Sequence, residues 1–400
     1  MTISRAASRE RPLRVGFFLP HFAAGGIERV VLNLLLGLDR EAFSTSLILR
    51  RREGDLLAAV PDGVELVDLG GVKMRWRAPT LRRRLPPLKL DVVYSGTNAA
   101  NLALLLAAAT MPSRPGIIIS EHTLGSLFLR EAKWRWLRTA AMRRLYPMAD
   151  LIVTPLADLG IELRRVLHRP DLPVRELLNP LFDARLIAQP QAPSAPDTSV
   201  RGYPYFVAAG RLAKVKGYDL LLQAFAALAR QRPEPHLVML GEGEERPELE
   251  RLAADLGIAD KVHFEGYVDR PMEVFRDATA LVISSQREGT PNVIPEAMAA
   301  GTAVIAKDCS IGVHRLLQGG RSGMLLQSPS PDDLATAMRT LIDQPARRAE
   351  LIAAGLRVAR QFSFQDTIPR YAETLIDAAA RRIDRHAPVE SQLRDRSLGQ

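Results

Sequence analysis

Apolar runs of about five residues alternate with longer amphipathic stretches along most of the chain, a pattern that specifies βα units and parallel sheets. Runs at residues 13–19, 46–50, 64–69, 92–94, 117–120 and 151–154 form a first set. Residues 189–198, Gln-Pro-Gln-Ala-Pro-Ser-Ala-Pro-Asp-Thr, are too poor in apolar side chains to join a core and mark a linker. The alternation then restarts at 205–209, 236–240, 261–264, 280–284 and 303–306, and late helices are expected at 331–342, 346–359 and 364–382. With 400 residues, 47% of them hydrophobic, the chain can fill two cores. The expected division is a first domain at 1–188, a linker at 189–200, a second domain at 201–363, a further helix at 364–385 and a disordered tail at 386–400.

Charge is unevenly placed. Up to Pro190 there are 28 Lys and Arg against 18 Asp and Glu; beyond it, 26 against 27. Arg75, Arg77, Arg82, Arg83 and Arg84 cluster, and Arg130, Lys133, Arg135, Arg138, Arg143 and Arg144 recur on a helix-like stretch with Trp134, Trp136, Leu137, Leu145 and Tyr146. Such a stretch fits an anionic membrane surface, and it equally fits a solvated helix whose Trp and Leu face the core. No nucleic-acid module accompanies the charge, so nucleic acid is not an expected partner. The longest apolar run, 102–109, is far short of a membrane helix, and the apolar stretch after Arg5, Arg9, Arg11 and Arg14 is too brief for a secretory signal. The single cysteine, Cys309, excludes an intrachain disulfide and fits a reducing compartment. A cytoplasmic protein is expected, peripheral on the inner face of the membrane if the basic half binds lipid.

The chemistry gathers after strands. The segment Glu288-Gly289-Thr290-Pro291-Asn292-Val293-Ile294-Pro295-Glu296 follows the run 280–284 and precedes a helix, so it sits at a strand's carboxyl end, where open α/β sheets bind ligands. Pro291 suits a first helical turn, free N–H groups there suit phosphate, and Glu296 is expected about one and a half turns into the helix, where a carboxylate accepts two sugar hydroxyls. The alternative is an acidic loop and a solvated helix residue. Gly210, Arg211 and Lys216 follow another strand, Gly241-Glu242-Gly243 a third, and Glu265-Gly266-Tyr267-Val268 a fourth. Arg211 as a fork and Lys216 as a point charge can hold two oxygens of a diphosphate. Gly241 and Gly243 would admit a ring or ribose close to backbone. In the first half, Gly25 and Gly26 before a helix form either a second anion cradle or a tight turn. Ser120-Glu121-His122-Thr123 ends a strand and puts His122 at that sheet's ligand edge, although isolated histidines are commonly structural.

Taken in order, Gly25-Gly26-Ile27-Glu28, Glu121-His122, Gly210-Arg211-Leu212, Lys216-Gly217 and Glu288…Glu296-Ala297-Met298-Ala299 resemble the retaining glycosyltransferases of family 4. The resemblance covers nearly the whole chain. It implies two Rossmann-like doubly wound domains facing each other across a cleft, the GT-B architecture, with the last helix crossing back onto the first domain. It implies that Arg211 and Lys216 neutralise a donor diphosphate, Glu296 holds the ribose, Val268 lies near the base, Glu288, Asn292 and Val293 contact sugar and phosphate, and His122 meets the sugar or acceptor. One departure stands out: Arg315 occupies a usually acidic position in the segment from Asp308 to Leu317.

The expected activity is metal-independent, retaining transfer of a hexose-type sugar from a nucleotide diphosphate donor, UDP being the commonest in the family, to a lipid-linked or polysaccharide acceptor of the cell envelope. No Asp-x-Asp pair appears in the sequence, so no metal or other cofactor is expected. A nucleotide-sugar epimerase of similar fold and a non-catalytic nucleotide-sugar-binding protein are the rival readings.

Overall fold

A computed structural model describes residues 11–23, 25–71, 77–122, 135–187 and 202–386. The expected linker, the tail beyond residue 386, and Arg5, Arg9, Arg75, Arg130, Lys133 and Trp134 lie outside the described residues. The chain divides into two compact units: residues up to Pro180 together with those from Phe364 onward, and Leu181–Ser363.

Among the described residues the first unit holds seven parallel strands: β1 (Leu13–Leu19), β2 (Phe43–Leu49), β3 (Glu65–Asp68), β4 (Val92–Ser95), β5 (Gly116–Ser120), β6 (Leu151–Thr154) and β7 (Val174–Glu176), in the order β3-β2-β1-β4-β5-β6-β7. Every residue of β4, β5 and β6 is buried, as continuous apolar strands require when helices cover both faces of a sheet. On one face, Val30, Val31, Leu34 and Leu35 of the helix Gly26–Gly37 meet Phe17, Tyr94 and Ile118. Ile368, Tyr371, Leu375, Ala378 and Ala379 of the helix Phe364–His386 complete that cluster. Each large apolar side chain buried there contributes about 1.5–3 kcal/mol. The same helix is tied to the sheet's far edge by Arg175, which pairs with Asp377 at 2.8 Å and donates to Thr374 at 3.1 Å. The other face packs Leu81, Leu104, Leu105, Met142 and Leu163 against Phe18, Val93, Ile117 and Ile119.

Among the described residues the second unit has six parallel strands: β8 (Tyr205–Ala209), β9 (His236–Leu240), β10 (Val262–Gly266), β11 (Ala280–Ile283), β12 (Ala303–Lys307) and β13 (Met324–Leu326), in the order β10-β9-β8-β11-β12-β13. The helices Tyr218–Gln231 and Pro331–Asp343 bury Leu221, Phe225, Leu334 and Met338 against it. A reciprocal capping box between Ser330 and Asp333 starts the second of these helices. Both units are thus Rossmann-like α/β layers. In each, the strand order reverses once, between β1 and β4 and between β8 and β11. Loops leaving the two strands at a reversal depart toward opposite faces, which opens a crevice at the carboxyl end. Among the described residues no helix is long and apolar enough to cross a membrane.

At the start of β9, His236 Nδ1 lies 2.8 Å from His263 Nε2 on β10, with the rings stacked. Such a contact needs one imidazole to accept, so at least one ring is neutral. Burial, then the neighbouring imidazole and Lys261, hold His236 below its ordinary value of 6.5, and burial does the same for His263. Because the folded values are depressed, the unfolded chain takes up protons first as pH falls. Stability should be full above about 6.5 and decline below it. In calorimetry, the melting temperature should drop between pH 7.5 and 5, and the drop should be smaller in His263→Gln; an identical drop in the variant refutes the shared-proton account.

Candidate active site

The loops after β8 and β11 flank the strand-order reversal of the second sheet, and they are laced together. Gln286 N donates to the Val215 carbonyl at 2.8 Å, and Ser284 Oγ donates to the Lys216 carbonyl at 3.0 Å. This brings Lys216 Nζ to 2.7 Å from Glu288 Oε1, with the side chains only 22% and 10% exposed. Ser285 Oγ donates to the same oxygen at 2.6 Å. Charge-assisted bonds so shielded are stronger than exposed pairs, and removing one partner strands the other at a cost of about 3–5 kcal/mol. The carboxylate's field reaches its neighbours. Burial and then Glu288 push the Cys309 thiol up to about 11, and the same two causes raise the Tyr218 phenol. Tyr218 donates to the Gly210 carbonyl at 3.3 Å. Arg211, beside this cluster, is exposed and has no partner among the described residues.

Other expected residues are placed with adjustments. The helix begins at Val293, so Pro291 precedes it and Glu296 falls in its first turn, not one and a half turns in. The reason is local: Ile294 N donates to the Pro291 carbonyl at 3.2 Å, a tight turn that delays the helix start. Glu296 is buried at 9% exposure, while Asn292 and Val293 are half-buried at the helix entrance. A Cβ added to Gly241 would lie 2.2 Å from the Gly210 carbonyl oxygen, and one on Gly243 2.2 Å from that of Leu212. Crossing backbone, locked by Leu212 N to the Glu242 carbonyl at 2.9 Å, therefore accounts for both glycines by itself. Val268 is half-buried in the loop that follows β10. Arg315 does not prevent the helix Ile311–Leu316, whose Ser310 cap accepts from Val313 N at 3.2 Å.

In the first unit, Glu121 N donates to the Val153 carbonyl at 2.9 Å and extends β5 by one residue. Ser120 Oγ lies 2.5 Å from His122 Nε2, and burial pulls the imidazole down to about 4. His122 is therefore neutral at physiological pH. Next to it, Glu121 accepts from Tyr146, from Asn101 Nδ2 at 2.9 Å and from Asn98 Nδ2 at 3.4 Å. Burial raises this acid, and those donors oppose the rise. Gly25 and Gly26 do start a helix, but Glu28 folds back over them: a Cβ on Gly25 would lie 2.2 Å from Glu28 Oε2. The first turn thus already faces a carboxylate, itself raised by burial and 3.7 Å from His21 Nδ1. Sequence reasoning had assigned no role to Ser285, Tyr218 or Glu121; the available signal was their place, a residue or two beyond a strand or opening a helix.

Two Rossmann-like sheets, one carrying a Lys–Glu ion pair at its strand reversal, place the chain in the class of doubly wound two-unit α/β proteins. The family follows from two models that match in tandem, Glycosyltransferase Family 4 over residues 24–181 and Glycosyl transferases group 1 over residues 195–358. The chain belongs to these family 4 glycosyltransferases, of GT-B architecture. A D-inositol 3-phosphate glycosyltransferase of Thermomonospora curvata is 36% identical over 180 residues, 42% of either chain. The match thus spans less than half of that relative's length. The N-acetylgalactosamine-N,N'-diacetylbacillosaminyl-diphospho-undecaprenol 4-alpha-N-acetylgalactosaminyltransferase of Campylobacter jejuni is 25% identical over 84% of this chain and 92% of that one. Anabaena HepE, solved in complex with UDP and glucose, shares the fold with a TM-score of 0.76 at 20% identity, over 91% of this chain and 99% of that one.

The neutral state of His122 is directly measurable. In NMR its ring signals should titrate near 4 and not near the ordinary 6.5; a midpoint above 6 refutes the desolvation of this half-buried ring.

Proposed function

We propose that this glycosyltransferase moves a hexose-type sugar from a UDP-sugar to a lipid-linked or polysaccharide acceptor of the cell envelope, with retention and without a metal. The observation that carries the reading is the Lys216–Glu288 pair beside Arg211, which has no partner among the described residues, at the reversal between β8 and β11. A donor diphosphate arriving there competes for Lys216 and takes Arg211 as a bidentate fork. Glu288, released from the lysine and still held by Ser285, then accepts sugar hydroxyls. Glu296 holds the ribose, the backbone at Asn292 and Val293 meets phosphate and sugar, and Val268 lies by the base. As the anomeric C–O bond breaks, its electron pair goes to the leaving phosphate, whose growing charge fixed cations stabilise without reorganising. The acceptor oxygen bonds the anomeric carbon on the face the phosphate leaves, and its proton passes to a phosphate oxygen. His122, neutral, contributes a hydrogen bond to sugar or acceptor and does not serve as the base. UDP is supported by the ligand of Anabaena HepE, and a lipid-linked acceptor by the name of the Campylobacter relative.

Arg211→Ala and Lys216→Ala should each lower kcat/KM by about 10²–10³, the size of losing one preorganised charge-stabilising group. A thermal-shift series with UDP-, GDP- and ADP-sugars reads the base independently. Activity unchanged in both variants removes the diphosphate assignment. Donor incubated without acceptor separates the epimerase rival, which alone would convert the sugar.

The basic surface supports a membrane partner. On the helix Arg135–Leu145, Trp136 is 69% and Leu137 53% exposed, so they do not face the core, and Arg135, Arg143 and Arg144 are exposed with them. Nearby on the same unit, a groove of about 530 Å³ is lined by Ala78, Pro79, Leu106 and Thr110 with Arg82 and Arg83. Aromatic and aliphatic side chains among cations suit the headgroup region of an anionic bilayer, each cation contributing about 1 kcal/mol near the surface. Co-sedimentation with phosphatidylglycerol vesicles should exceed that with phosphatidylcholine and fall severalfold in Trp136→Ala/Leu137→Ala; binding indifferent to lipid charge rules the idea out.

A further inference from the structure

Arg50 follows β2, and Arg77 opens the helix Arg77–Arg84 that comes after β3, so both stand at the carboxyl rim of the first unit's sheet. The two segments are joined where Gly71 N donates to the Arg50 carbonyl at 2.7 Å. Both side chains are half-buried, and the Nε of each is buried with no hydrogen-bond partner among the described residues. No acid among the described residues pairs with either. The acids closest in sequence are occupied elsewhere: Glu53 lies 3.7 Å from Arg51, and Asp68 Oδ1 accepts from Gly70 N at 2.8 Å. Burial and the like charge of Arg50 hold the Arg77 guanidinium below its ordinary value, so the two cations oppose each other.

A buried N–H of a charged group left without an acceptor destabilises the fold, and a like charge beside it adds to that cost. Proteins retain such an arrangement where a ligand supplies the missing charge. We propose that Arg50 and Arg77 form a binding site for a phosphate group carried by the acceptor. Two guanidinium forks present paired donors that match the tetrahedral oxygens of a phosphate ester or diphosphate. The anion site stands on the arginines alone; its assignment to the acceptor rests on the glycosyltransferase reading.

The test uses the full chain, saturated with UDP so that the donor site is filled. Inorganic pyrophosphate should raise the melting temperature of the wild type and of Arg77→Lys, and should bind Arg50→Gln and Arg77→Gln about tenfold or more weakly by calorimetry. Without the anion, the Gln variants should melt no lower than wild type, because removing one of two like charges relieves repulsion. A structural role predicts the reverse, and that result overturns the site. Equal pyrophosphate binding in wild type and Arg77→Gln also overturns it, as does glucuronate binding as tightly as pyrophosphate. In a transfer assay, Arg77→Gln should raise KM for a polyprenyl-diphosphate-linked sugar and leave KM unchanged for the same glycan lacking phosphate, with UDP affinity intact. Equal effects on both acceptors overturn the assignment to the acceptor. Pyrophosphate binding that depends on Arg77 in a protein that ignores UDP sinks the donor reading and leaves the anion site standing.

Discussion

A charge withdrawn from water must find a partner, and most of this protein's functional geometry follows from how that demand is met. At the reversal between β8 and β11, Lys216 and Glu288 satisfy each other, and hydrogen bonds from Ser284, Ser285 and Gln286 hold the two loops in the arrangement that lets them do so. The pair is largely shielded from water, so parting it would strand a charge, and Glu288 also accepts from Ser285. Arg211 stays outside in solvent, where an unpaired charge is cheap to keep. Glu121 meets the same demand differently. Tyr146, Asn98 and Asn101 supply three donors to one acid, which fixes the end of β5 and with it the chain carrying His122.

Much of the fold was legible because burial on both faces leaves continuous apolar runs, as in β4, β5, β6, β8 and β11, and eleven of the thirteen strands among the described residues fall on an expected run. The two that escaped reading, Val174–Glu176 and Met324–Leu326, are three-residue strands at sheet edges, half-buried or exposed, too short for a period to register. Helix onset at the glutamate loop was misread by two residues, since a proline is compatible both with a first turn and with the turn before it.

The site was legible as a set of loops and less so as contacts. Strand-end position marked Arg211, Lys216, Glu288 and His122, yet nothing in a one-dimensional pattern says that Lys216 and Glu288, 72 residues apart, touch. The glycines show the converse. Gly241 and Gly243 invite a ligand explanation from sequence, whereas backbone crossing leaves no room for a larger residue at either position. Gly25 likewise sits under Glu28. Positions fixed by close approach of main chain are invisible until the approaching segment is known.

The helix Phe364–His386 belongs with a sheet whose strands all lie before Pro180. During synthesis, therefore, the first unit emerges with Tyr94 and Phe17 lacking the Tyr371 and Leu375 that cover them, while Leu181–Ser363 leaves the ribosome with its own core already in one piece. Completing the amino-terminal core therefore needs a helix that is translated only after the whole of the second unit.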